Sequence, residues 1–230
     1  MFGQAATFSK AARFSQKGVA SVSSREPSQS VFRGTWILVL ARACVAIVTA
    51  LVITFSQSHS TPFGFIAFGA FAVASGLVLA VGSWAAMQAR ATTLVQGILT
   101  VAAGIVALVL SGGGLPFLIF LATFWAAVTG ILELFCGLRF RGKSPRSRDW
   151  VFAGALTALF AIVVLIVPPD LEQSLGGVEG VDGVLTASVI VVGAVGAYAA
   201  ILGVYLAIAG FSLKWGAPAP AEAVTESGDR

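Results

Sequence analysis

The stretch GILTVAAGIVALVLSGGGLPFLIFLATFWAAVTGILELFCGL, residues 97–138, decides the fold. Two apolar runs flank the uncharged turn SGGGLP (111–116), and the whole stretch carries one charge, Glu133. A helix needs ~20 mostly apolar residues to cross ~30 Å of hydrocarbon, and each run is about that long. The basic segment RFRGKSPRSRD (139–149) follows at once. The same unit of run, uncharged or acidic turn, run and basic flank is written before and after this one.

Outward from there, the pattern predicts spans near 35–55, 63–84, 91–110, 116–138, 150–168 and 185–213. The chain is 57% hydrophobic and 10% charged, whereas a soluble globular domain carries about 25% charged residues. The apolar runs are continuous and do not alternate, which excludes a transmembrane barrel strand. Helices then satisfy the backbone in lipid. The expected fold class is an all-α integral membrane protein of six transmembrane helices. Its organisation is a disordered basic tail (1–31), a transmembrane domain (32–214) with hairpins at about 35–84, 91–138 and 150–213, and a disordered tail (215–230). The first tail, with Lys10, Arg13, Lys17 and Arg25 and no acid before Glu26, reads as an orientation signal rather than an organelle transit peptide.

The cations sort by side. They fall in the N-terminal tail, at Arg90, at Arg139, Arg141, Lys143, Arg146 and Arg148, and at Lys214 and Arg230, while SQSHST (56–61), SGGGLP and PPDLEQSLGGVEGVDG (168–183) contain none. The positive-inside rule puts both termini in the cytoplasm, with Trp36, Trp84, Trp150 and Trp215 near the cytoplasmic span ends.

The hairpins align. The odd helices read ACVAIVTALV from Ala43, GILTVAAGIV from Gly97 and GALTALFAIV from Gly154, with small residues paired as Ala43/Ala50, Gly97/Gly104 and Gly154/Ala161. Such a spacing is close to two helical turns, so each pair shares a face. The even helices align on Gly76, Gly130 and Gly203. These positions are expected to be packing seams, because helices in lipid associate through small residues that let backbones approach. Each unit begins on the same side, which makes the repeats parallel and implies an approximate threefold axis along the membrane normal.

The small-residue first helices (GILTVAAGIVALVL, GALTALFAIVVLIVPP) and the segment GILELFCGLRFR resemble the HdeD-type acid-resistance membrane proteins, a family of small bacterial inner-membrane proteins. The resemblance covers roughly 35–214, and the first hairpin departs from it with Ala43, Ala50 and Arg42. It implies a plasma-membrane, stress-response role in protection against acid and supplies no catalytic residues.

Arg42 and Glu133 lie well inside spans, where a charge costs ~2.5–3.5 kcal/mol on insertion scales. Their distances from Arg33 and Arg139 put them at similar depth, so an Arg42–Glu133 ion pair is expected; snorkelling of Arg42 beside a protonated or hydrated Glu133 is the alternative. Gln96 aligns with Arg42 and marks an equivalent interior site. Cys44 and Cys136 read as buried, inert thiols. With the lone His59 they make too few ligands for a metal site. The acidic loop with Asp170, Glu172, Glu179 and Asp182 reads as a solvated loop from which topology excludes cations. The basic segment 139–148 suits anionic lipid, and its place beside the spans argues against nucleic acid. No cofactor motif is present. The expected function is a non-enzymatic membrane protein contributing to acid or general stress tolerance. The alternatives are a small transporter or channel for protons, ions or small solutes, and a membrane assembly subunit.

Overall fold

A computed structural model describes residues 28–85, 90–142, 147–174 and 184–215. Tail residues 1–27 and 216–230 lie outside the described residues, as do Lys143, Arg146, Glu179 and Asp182. Six helices are long and apolar enough to cross a membrane. They are α1 (Ser28–Phe55), α2 (Thr61–Gly82), α3 (Arg90–Val109), α4 (Gly114–Arg139), α5 (Ser147–Leu165) and α6 (Ala187–Trp215). The chain divides into two compact units after Gly34. In the first, residues 28–34 are already helical, which corrects the expected tail boundary at 31. An apolar run marks the part of a helix that can cross a membrane and not its first residue, since the helix can continue into polar sequence beyond it. All six candidate spans lie in the second unit, Thr35–Arg230.

The helices terminate for local reasons. Pro62 sits in the first turn of α2, where its missing N–H costs nothing. Gly114 opens α4 with φ of 78°, a backbone conformation that a side chain would strain. The acidic loop carries one feature that its sequence does not announce. Glu172–Ser174 (β1) pairs antiparallel with Val184–Thr186 (β2), and Ala187 N–H donates to Leu171 O at 2.9 Å, so the strand pair is tied to the start of α6.

The small residues do form seams, and the seams select unexpected partners. A Cβ on Gly76 would meet Val101 N at 2.7 Å and Gly97 O at 2.9 Å; one on Gly104 would meet Val73 N at 2.7 Å. Those contacts join α2 to α3. A Cβ on Gly130 would meet Ala158 N at 2.9 Å, and one on Gly154 would meet Leu134 N at 2.6 Å, which joins α4 to α5. One on Gly203 would meet Ile47 N at 3.0 Å and Ala43 O at 3.3 Å, which joins α6 to α1. Each seam is antiparallel, since rising numbers on one helix meet falling numbers on the other. The closest backbone approaches therefore link helices that the sequence pattern assigns to different hairpins. Ala43, Ala50 and Ala161 are all buried. At Ala43 the methyl group is accommodated because its partner, Gly203, has none.

Outward faces carry exposed Val48, Leu51, Ile66, Phe120, Ile162 and Ile201, the surface that lipid would contact. The interior is aromatic and small-residue rich, built on Phe65, Phe68, Phe71, Ala122, Trp125, Phe160 and Tyr198.

Candidate functional site: a polar layer drawn from six helices

Arg42 of α1 and Glu133 of α4 meet: Arg42 Nη2 lies 3.3 Å from Glu133 Oε1, with side chains 12% and 3% exposed. Arg42 Nε also donates to Ser75 Oγ of α2 at 3.3 Å. Gln96 of α3 donates its amide to Glu133 Oε1 at 2.6 Å. Glu133 Oε2 faces Thr157 of α5 at 3.5 Å, and Thr157 Oγ1 is 3.0 Å from the Tyr198 hydroxyl of α6. Each helix thus contributes one polar side chain to one connected layer. Two opposite charges with added hydrogen bonds are the arrangement that offsets the desolvation of burying either charge.

The donors can be assigned. Thr157 has one hydroxyl proton, directed at Ala153 O at 2.8 Å and Glu133 Oε2 at 3.5 Å, so Tyr198 is the donor to Thr157. Thr100 does the same one unit earlier: it donates to Gln96 O at 2.7 Å and accepts from Trp125 Nε1 at 3.1 Å. In the alignment Thr100 matches Thr157, and Trp125 matches Tyr198, each aromatic standing five residues before an aligned glycine. The corresponding pair in the first unit is Ala46 and Phe71. Both are buried, and neither side chain has a polar group to satisfy.

Phe71, Trp125 and Tyr198 close the axis beside this layer. Their ring centroids are 6.3 Å (Phe71–Trp125), 6.1 Å (Phe71–Tyr198) and 6.1 Å (Trp125–Tyr198) apart. The interplanar angles are 89°, 89° and 84°. Three equivalent side chains form a nearly equilateral, edge-to-face triangle, the favoured geometry for ring quadrupoles. Phe68 and Phe160 also pack on Trp125, thickening the seal.

A cleft of about 80 Å³ lies on the other side of the layer, between Arg42 and the end of the bundle near Gly82, Asp149 and Trp150. At the depth of Arg42 and Gln96 the third unit has Ala153, and Ala153 and Leu206 line the cleft. Space remains where the repeat omits a long side chain. Asp149 Oδ1 accepts from the Tyr205 hydroxyl at 2.7 Å.

The other singled-out residues lie elsewhere. Cys136 is buried, but Cys44 is exposed on the outer face of α1, correcting the expectation that both are buried; the spacing of small residues does not report which face of α1 a neighbour occupies. His59 packs edge-on against Phe63. Arg90 stacks over Trp84 at 4.4 Å, and Lys214 Nζ lies 5.2 Å from the Trp36 ring, so two of the span-end tryptophans hold cations. Among the described residues no group of three or more His, Cys, Asp or Glu side chains is placed to hold a metal ion.

The sequence singles out Arg42, Glu133 and Gln96 but not Ser75, Thr100, Thr157, Trp125 and Tyr198. A signal for them is present, since both threonines occupy the fourth position of the aligned blocks. Compared with known proteins, the chain matches no family model, no curated protein and no solved structure.

Proposed function

We propose that this chain is a non-enzymatic, multi-pass protein of the bacterial inner membrane, with both termini cytoplasmic. Its role is to support tolerance of acid or general stress as a self-contained membrane scaffold. The observation that carries this reading is the axis itself. Conduction needs a polar, hydrated path, whereas here the polar side chains bond one another and the Phe71–Trp125–Tyr198 triangle stands across the axis beside them. Support for the stress role comes from the resemblance of the repeated small-residue helices to HdeD-type proteins. Support for the orientation comes from the one-sided distribution of Lys and Arg. Exposed Arg139, Arg141 and Arg148 on the proposed cytoplasmic side would draw anionic headgroups, each gaining ~1 kcal/mol near the surface.

Survival of a deletion strain after acid challenge tests the role. Loss of survival, restored by the wild-type gene and not by Glu133→Ala, is the expected result; unchanged survival overturns it. Alkaline phosphatase fused after residue 215 should be inactive and fused within 56–61 active. Proton or solute flux through the purified protein in liposomes would overturn the scaffold reading in favour of transport.

A further inference from the structure

We propose that the cleft beside Arg42 is a binding site for a small zwitterionic amino acid of the size of glycine or alanine, with its carboxylate on Arg42 and its ammonium on Asp149.

Arg42 has unspent hydrogen-bonding capacity. A guanidinium has five N–H donors. Arg42 uses Nε on Ser75 and Nη2 on Glu133, and Nη1 has no hydrogen bond among the described residues. Thr123 Oγ1 is the one sealed side-chain atom there without a partner, so Nη1 is not enclosed, and Arg42 lines the cleft. A mostly buried cation with unspent donors therefore borders a cavity.

The charges on the cleft suit a ligand with both signs. The charged side chains that line the cleft are Arg42 and Asp149, one of each sign; Tyr205 bonds Asp149 Oδ1, and Oδ2 has no hydrogen bond among the described residues. A lone anion would leave Asp149 unmatched, and a lone cation would leave Arg42 Nη1 unsatisfied. A zwitterion satisfies both ends. Asp149 stands one helical turn from Ala153, which is level with Arg42, an axial offset of about 6 Å. Thr93 adds a hydroxyl, while Leu79, Trp150 and Leu206 supply apolar walls, where charged hydrogen bonds are stronger than in water.

The cleft is also small. A cavity needs roughly 10–15 Å³ to admit one water, so a cleft of about 80 Å³ has room for a molecule of the size of glycine or alanine. The aromatic triangle lies beyond the polar layer, so the cleft is a blind site and binds without passage. This inference is independent of the stress role, since binding and survival are read by separate experiments.

Equilibrium dialysis of the full chain in nanodiscs with radiolabelled glycine and L-alanine is the test. Saturable binding is expected, with acetate and methylammonium each competing at least tenfold more weakly than unlabelled glycine. Asp149→Asn, which keeps an oxygen for Tyr205, should weaken glycine binding at least tenfold. Ala209→Leu, which fills the cleft without touching a charge, should do the same while the melting temperature stays close to wild type. Absence of saturable binding by the wild type overturns the proposal. So does equal competition by acetate or by methylammonium, or unchanged binding by folded Asp149→Asn and Ala209→Leu.

Discussion

The pair α1/α2 and the pairs α3/α4 and α5/α6 place side chains at the same points and put different chemistry there. In the later pairs a threonine accepts from an aromatic side chain, Trp125 to Thr100 at 3.1 Å and Tyr198 to Thr157 at 3.0 Å. In the first pair the same points hold Ala46 and Phe71, 0% and 2% exposed. One layer away the contrast reverses: the first pair contributes Arg42 and Ser75, while the third has Ala153 and Leu202. Shape is repeated and polarity is distributed. A buried polar group is tolerated wherever its partner is supplied by some other unit, so the ion pair needs only α1 and α4 to agree.

The largest break in this comparison comes from removing one charge. Arg42→Ala or Glu133→Ala leaves its partner buried and unpaired, a loss of about 3–5 kcal/mol, read as a lower melting temperature and reduced abundance in membranes. The exchange Arg42→Glu with Glu133→Arg should recover a measurable part of that loss, and recovery no better than the worse single variant would separate the two residues energetically.

A smaller break moves the later pairs' chemistry into the first. Phe71→Tyr buries a hydroxyl against Ala46 with no acceptor, at about 1–3 kcal/mol. Adding Ala46→Thr supplies the acceptor that Thr157 gives Tyr198, so the double variant should be more stable than Phe71→Tyr alone. The reverse change, Tyr198→Phe, removes one hydrogen bond and should cost about 0.5–1.5 kcal/mol in thermal unfolding. The smallest effect separates seam glycines from incidental ones. A Cβ on Gly193 would have nothing within 4 Å, so Gly193→Ala should stabilise slightly, by up to ~1 kcal/mol. Gly97→Ala, aimed at Ala80 N at 2.7 Å, should instead destabilise.

The helices themselves were legible in the sequence, because ~20 apolar residues leave the backbone no other solution in lipid. Predicted span ends differ from those found by a few residues, as at 63–84 against Thr61–Gly82. The small-residue spacing located the seam faces, and Gly76, Gly97, Gly104, Gly130, Gly154 and Gly203 all contact a neighbouring helix. It did not identify which helix, since a glycine accepts any close neighbour and only the three-dimensional ring distinguishes α3 from α1 as the partner of α2. Arg42 and Glu133 were conspicuous as charges in apolar text. Thr157 and Tyr198 were not, because threonine and tyrosine occur in spans without any special role and gain meaning only from what lies opposite.

The seam between α6 and α1 has a consequence for biosynthesis. Of the six helices, α1 leaves the ribosome first, yet the glycine it packs on, Gly203, belongs to the helix made last. Its charge waits as well, since Glu133 follows Arg42 by 91 residues. While α2 is matched by α3 and α4 by α5 as soon as each neighbour is synthesised, α1 waits until α4 for the partner of its arginine and until α6 for its packing seam. A chain halted before α4 therefore leaves Arg42 without its carboxylate, and one halted before α6 leaves the face of α1 that packs on Gly203 uncovered.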